Sequence, residues 1–476
     1  MKTLKSIVLA GAAIAFVGVA SAQQAVKITG STAFRSGAVA AMINSLKSEP
    51  SLGVNGYPEG AYIGTSITAT QAIIHGHLVS TGAEVYYQLA WDGSISGVSA
   101  TGSGLTTLPG SGLAAAATWI SLSQTGTNAL THVTATRATN ESYSFAGGTS
   151  LAGTIAYSAA TAPDATFSDS SAGSIYASGL ASAPHPGLNG ATTSANPTTD
   201  GECAVVVFVY VKGPAEPGLP AGSYARLTNL SEQQIQALWT NGYVPLSAVT
   251  GNIADQGVDV VLVGRNNDSG SRLFSLADAF ISTAAVGNTW ALFDLNSAAG
   301  DSTTITQASS PIDNAGFSSG GKLASAVNEN VSSGAVDFNG NPFILVTYLG
   351  VADAFTVVTG NGAQLTLDGV GAPIINPTGG PTGGPVVDLL NPATNLGVFV
   401  QQGAYEGWEN EHLYFRPALN STQSGALVQA VNDAYNAVYT TDAIAAGLTI
   451  PYLGAAPAPQ FGFPTARTNE FTTINP

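Results

Sequence analysis

Cysteine is nearly missing from this chain. Cys203 is the only one in 476 residues, so no disulfide can form within it. It sits beside the apolar run Ala204 to Val209, where a buried, inert thiol is expected. Charge is also scarce. Only 9% of residues are charged, with Lys+Arg 13 against Asp+Glu 29 and a formal net charge of −16. That balance excludes nucleic acid and anionic membrane surfaces as partners held by electrostatics. No H-E-x-x-H pair or P-loop occurs, and serines are too abundant for any one to point to a nucleophile, so the sequence offers no positive sign of catalysis. Beyond the N-terminal segment there is no apolar run of the roughly 18 residues needed to cross a bilayer.

The N-terminal segment has Lys2 and Lys5, then the apolar run Ile7 to Val19, then Ala20-Ser21-Ala22 before Gln23. This order predicts a signal peptide over residues 1–22 and a periplasmic or secreted product. Cleavage would expose Gln23 and not a cysteine, so no lipid anchor is expected there. The remainder is long enough for two or three domain-sized cores.

The hydrophobic pattern alternates strand, loop and helix. Ala25 to Thr29 predicts a strand, followed by Gly30-Ser31-Thr32 and a helix through Phe34, Val39, Met42 and Leu46. Ala83 to Ala90 predicts another strand, running into the small-residue loop Trp91 to Gly97. Residues 204–211 are apolar and mostly β-branched, as in a strand covered on both faces. Ser231 and Gln234 form a capping box ahead of Ile235, Leu238 and Trp239 on one helical face. Val258 to Val263 predicts a buried strand, and Leu273, Phe274, Leu276, Ala277, Phe280 and Ile281 form the apolar stripe of the next helix. Two apolar stretches follow within 341–358, and a last helix is expected over 425–438. The expected class is α/β.

Three loops carry the candidate chemistry: Gly30 to Phe34, Gly93 to Gly97, and Arg265 to Ser271. Each combines glycine and hydroxyls with an expected helix start. There, unsatisfied backbone N–H groups and the helix dipole favour an oxyanion without needing a net positive protein. Arg265 adds a planar bidentate donor.

The loop at Gly30 to Phe34, the segment Leu230 to Trp239 and the stretch Val260 to Phe280 resemble the phosphate-binding proteins of bacterial ABC transporters. The arginine loop of that family reads R-x-D-G-S-G-T. Here Arg265, Ser269, Gly270 and Ser271 match it, while Asn267 and Asp268 stand in place of aspartate and glycine. The resemblance implies a type II periplasmic binding protein architecture, two α/β lobes with an anion in the cleft, and here a β-rich insertion. It implies anion contacts from Ser31, Thr32 and Ala33, from Ser94 and Ser96, and from Arg265, Ser269, Gly270 and Ser271. It also implies a carboxylate that accepts a proton from the anion, matched by Asp169 in Phe167-Ser168-Asp169-Ser170. The expected partners are inorganic phosphate or a similar oxyanion and an ABC transporter permease, with no cofactor, no metal and a monomeric state.

The domain expectation is a first lobe over 23–205 with an insertion at about 98–165, a second lobe over 206–344, and a return to the first lobe with a C-terminal extension over 345–476. An alternative reading is an extracellular surface or adhesion protein that keeps the fold, which the low charge and abundant Gly, Ser and Thr favour. A third, an anion-dependent phosphatase, lacks a metal set or activated nucleophile. His75 and His77 alternate along one strand with no carboxylate or cysteine near them in sequence, so an exposed pair is expected and not a metal site. The segment Glu406 to His412 reads as a polar helix or loop around Trp408.

Overall fold

A computed structural model describes residues 24–47, 58–64, 69–79, 81–109, 111, 113–125, 148–177, 189–190, 202–279, 281, 316–328, 334–371, 405, 407–416 and 450–451. The expected signal peptide, the helix over 425–438 and most of the C-terminal extension lie outside these residues.

In chain order the first half contains β1 (Gln24–Gly30), α1 (Arg35–Asn44), β2 (Glu59–Ile63), β3 (Gln71–His77), β4 (Glu84–Trp91), α2 (Ser94–Ser103), β5 (Thr149–Leu151), β6 (Ala165–Ser168), α3 (Ala172–Ala177) and β7 (Asn189–Gly190). The long strand β8 (Glu202–Lys212) leads into α4 (Ser223–Arg226), β9 (Asn229–Leu230), α5 (Glu232–Asn241), β10 (Tyr243–Pro245), α6 (Leu246–Thr250), β11 (Asp259–Leu262), α7 (Gly270–Asp278) and α8 (Gly320–Val327). Then come β12 (Phe343–Gly350), α9 (Val351–Thr359), β13 (Ala363–Gln364), β14 (Thr366–Leu367), β15 (Trp408–Phe415) and β16 (Ile450–Pro451).

The fold is mixed α/β, as expected. A large mixed sheet has the order β10-β11-β12-β8-β15-β6-β1-β4-β3-β2-β5. Strand β8 belongs to both halves. Its N-terminal part pairs with β15, up to Val207 against Trp408, and its C-terminal part pairs with β12, from Phe208 against Gly350 onward. The uninterrupted Val206 to Val211 run is buried throughout, paired with β15 up to Val207 and with β12 beyond it. One apolar cluster follows it from Val26 and Phe34 in the first half to Trp239, Phe274 and Leu345 in the second. The pairings keep β12 with the second half, α9 packs against α8 and β12, and the chain rejoins the first half at β15.

The capping box at α5 forms as expected, with the Ser231 hydroxyl accepting from the Gln234 amide and the Gln234 side chain accepting from Ser231 N–H. From α5, Trp239 Nε1 donates to Ser275 Oγ at 2.9 Å, and the same hydroxyl bonds Tyr210 of β8 at 2.8 Å. This triad fixes α7 against the shared strand.

The segment read as a polar helix or loop around Trp408 is instead β15, buried along its whole length. Strands β6 and β8 flank it on either side and supply its backbone bonds, so its polar side chains are carried inside with it. Sequence polarity misleads at such a position because a central strand is placed by its neighbours, not by its own pattern.

Gly30 ends β1 at φ +112, and a Cβ there would lie 1.8 Å from the Phe167 carbonyl oxygen. Replacing Gly30 with Ala is expected to cost well over 1 kcal/mol, since both the dihedral and the contact are incompatible. Chemical denaturation compares the variant with wild type, and equal midpoints would contradict the backbone geometry at this turn.

Candidate functional site

Strands β1, β4 and β6 run parallel, with β1 in the middle. The chain leaves β1 for β4 on one side and reaches β6 on the other, so the loops after all three strands open at the same sheet edge. This is the switch point at which open α/β sheets form a crevice. The loop after β1 is pinned by Ser31 N–H to the Phe167 carbonyl at 2.8 Å, and the Ser31 hydroxyl accepts from Phe34 N–H at 3.1 Å. The loop after β4 is pinned by Gly93 N–H to the Gly30 carbonyl at 3.0 Å. Helix α2 then starts at Ser94 with no side-chain cap. The loop after β6 carries Asp169, and α3 is set by Tyr414 of β15, whose hydroxyl accepts from Ala172 N–H at 3.0 Å.

The second half contributes through β11 and β12, which are also parallel. Arg265 follows β11 and is buried. Its Nε donates to the Phe317 carbonyl at 2.8 Å and Nη2 to the Ser318 carbonyl at 2.9 Å, so backbone carbonyls fix the guanidinium where the resembled family uses aspartate. Nη1 reaches into the first half, donating to Thr32 Oγ1 at 3.0 Å, with Ser271 Oγ at 3.5 Å. Ser269 caps α7 by accepting from Arg272 N–H at 3.2 Å, and its hydroxyl bonds that of Ser271 at 2.9 Å.

The halves meet across this crevice at several points. Ile95 N–H donates to the Asp268 carbonyl at 3.1 Å, and Ser170 Oγ to the Gly270 carbonyl at 3.2 Å. A Cβ on Gly270 would fall 1.9 Å from Asp169 Oδ1, so only glycine permits this approach. All the residues expected at the site from sequence are thus gathered at one crevice: Ser31, Thr32, Ala33, Ser94, Ser96 and Asp169 from the first half, and Arg265, Ser269, Gly270 and Ser271 from the second. The carboxyl of Asp169 accepts from the Ser94 hydroxyl, which returns by accepting from Asp169 N–H at 3.2 Å. The Ser96 hydroxyl instead turns inward to Asp92, which also accepts from Thr29 Oγ1 at 2.8 Å.

Burial governs the protonation of the site. It pushes the Asp169 carboxyl up, against the opposing pull of the Ser94 hydrogen bond and the Arg265 charge. It pushes Arg265 down to about 10, against the pull of Asp169 and Asp353. Arg35, at the first position of α1, pairs with Asp353 of α9 across the halves at 4.0 Å. Glu411 of β15 is fully buried, and burial and the nearby Asp169 charge hold its carboxyl well above the usual carboxylate range, with the Ser31 hydroxyl opposing.

Sequence reasoning missed Arg35, Asp92, Asp353 and Glu411. Arg35 and Asp92 adjoin the glycine loops and were within reach of a residue-by-residue reading. Asp353 and Glu411 arrive through β12 and β15, which no local pattern ties to the crevice. His75 differs from expectation too: Glu84 lies at 2.9 Å and Glu59 at 3.7 Å, and the ring stacks on Tyr86. Cross-strand pairing in β2-β3-β4 supplies carboxylates that sequence spacing does not show. Among the described residues, no group of three or more His, Cys, Asp or Glu side chains is placed to hold a metal.

No protein-family model and no curated protein matches the chain. Among solved structures it is similar to PstS from Borrelia burgdorferi, at 12% identity and a TM-score of 0.30 over 90% of this chain and 99% of that one. It is similar to a possible phosphate binding protein from Planctomyces limnophilus, at 11% identity and a TM-score of 0.29 over 87% and 99%. A third is an ABC-type phosphate transport receptor from Vibrio cholerae, at 11% identity and a TM-score of 0.26 over 58% and 77%.

Burial raises Asp92 to about 7, only partly offset by the hydrogen bonds from Ser96 and Thr29. A carboxyl whose folded value exceeds its unfolded one favours folding in its protonated form, so this contribution is complete below the unfolded value and is lost as pH rises through about 7. Asp92→Asn is therefore expected to gain thermal stability relative to wild type between acidic and mildly alkaline pH. A melting-temperature difference that stays constant across that range would contradict the buried, proton-holding role of Asp92.

Proposed function

We propose that this chain is a non-catalytic solute-binding protein that captures a small tetrahedral oxyanion, inorganic phosphate foremost, between its two halves for uptake by an ABC-type transporter. The observation that carries the reading is the convergence of two buried helix starts, at Ser94 and Gly270, with the buried guanidinium of Arg265. Backbone N–H groups of Thr32, Ala33, Ser94, Ser96, Gly270 and Ser271 and the hydroxyls of Ser31, Ser94, Ser269 and Ser271 supply neutral donors. Arg265 supplies the charge-assisted ones. The bonds Arg265–Thr32 and Ser94–Asp169 are exchanged for bonds to the anion.

Asp169 sets the choice of anion. At neutral pH phosphate keeps at least one proton and sulfate keeps none, so a buried carboxylate accepts a hydrogen bond from phosphate and meets only lone pairs on sulfate. Residues 1–22 act as the export signal, and the product is a periplasmic or secreted monomer without cofactor. The lobes divide within β8 near Val207, and strand pairing supports assigning β12 and α9 to the second lobe, beyond a boundary at 344.

Calorimetric titration of dialysed protein should show phosphate binding and sulfate rejection. Arg265→Ala should lose about 2–5 kcal/mol of binding, as for one partner of a buried hydrogen-bonded charge pair, and Asp169→Asn should narrow the phosphate–sulfate gap. Equal affinity for both anions would remove Asp169 from its role. No binding of either would favour the surface or adhesion reading.

A further inference from the structure

At the opposite ends of β11 and β12 from the crevice lies a second polar cluster. Asp259 opens β11, and the loop Asp337-Phe338-Asn339-Gly340-Asn341 precedes β12. The two are tied by Asp259 N–H to the Pro342 carbonyl at 2.9 Å. Asp337 Oδ1 accepts the backbone N–H groups of Asn339 at 2.8 Å and Asn341 at 3.0 Å. Its other oxygen, Oδ2, is buried and has no hydrogen-bond donor, and the Asp337 carboxyl lies beside that of Asp259. Both asparagine amides converge on the same place, with Nδ2 of Asn339 at 2.9 Å and Nδ2 of Asn341 at 3.1 Å from Asp259 Oδ2.

We infer that Asp259, Asp337, Asn339 and Asn341 form a calcium site, a structural ion position separate from the anion crevice and independent of the proposed function. Two carboxyl groups in contact cannot both stay ionised without a positive charge between them. Rotating the two amides by half a turn places their Oδ1 atoms where the Nδ2 atoms now lie, and the ion then meets two carboxylates and two neutral oxygens. Hard oxygen ligands of this kind select Ca²⁺, and Asp, Asn and Asn at alternate loop positions repeat the first three ligand positions of calcium-binding loops. Asn339 is exposed, so water can complete the shell. Mg²⁺ fits less well, because it requires stricter octahedral geometry and gives up its water reluctantly.

The loop is anchored by Phe338, whose ring meets Tyr243 edge-on at 5.2 Å, so Tyr243 is placed to sensitise a lanthanide bound there. The test uses the full exported chain, stripped with a chelator and titrated with CaCl₂, MgCl₂ and TbCl₃. Expected are a Ca²⁺-dependent rise in melting temperature, a dissociation constant on the order of 10⁻⁴–10⁻³ M as in extracellular calcium modules, and Tb³⁺ luminescence displaced by Ca²⁺. Asp337→Asn should weaken Ca²⁺ at least roughly tenfold, the factor that about 1.4 kcal/mol represents. Asn339→Ala, at an exposed position, should weaken it severalfold. Phosphate affinity should not change in either variant. The inference is overturned if wild type shows no Ca²⁺ response at about ten times the weaker of those constants, if Asp337→Asn and Asn339→Ala bind like wild type, or if Asp337→Asn merely stabilises the chelated protein while wild type ignores calcium, which would mark a proton-sharing pair.

Discussion

A guanidinium that is only 4% exposed has lost its water and must find acceptors in the protein, and Arg265 finds them in both halves of the chain. The carbonyls of Phe317 and Ser318 take Nε and Nη2 from its own side, and Thr32 takes Nη1 from the other. Two of the five N–H directions are thereby fixed to backbone. The edge of the fork that reaches Thr32 and Ser271 is the one aimed across the crevice. Asn267 in place of the resembled family's aspartate does not leave the arginine unheld, because the Phe317 and Ser318 carbonyls accept from it.

That constraint explains the small residues around it. The halves approach closely where Gly270 leaves room for Asp169, and Gly350 packs closely on Ala33. The charges balance locally. Arg35 faces Asp353, Arg265 feels Asp169 and Asp353, and Glu411 is driven toward its neutral form. A strongly acidic protein can in this way present a crevice without strong charge of either sign, in which neutral N–H and O–H donors decide what is held.

Much of this was legible in the sequence because it is local. The strand ending at Gly30, the apolar run of β8, the capping box at Ser231 and the serine-glycine start of α7 each declare themselves within about ten residues, the range over which periodicity and capping operate. Even Asp169 was reachable through its Ser-Asp-Ser setting, although 75 positions separate it from Ser94. What could not be read came through long-range pairing. Glu411 and His412 look like a solvated stretch until β6 and β8 close on both sides of them. Asp353 looks like an ordinary first-turn acid until α9 meets α1. The same limit hid the carboxylates around His75, which arrive from strands β2 and β4.

The central claim is that backbone donors from both halves hold one anion at the same time. Hydrogen–deuterium exchange of the protein, with and without saturating phosphate, reads those donors directly. The account predicts slower exchange on phosphate addition at Thr32 to Arg35, at Ser94 to Gly97 and at Gly270 to Arg272 together, with the far ends of β11 and β12 unchanged. Protection confined to one half, or no protection at any of the three segments, would contradict it.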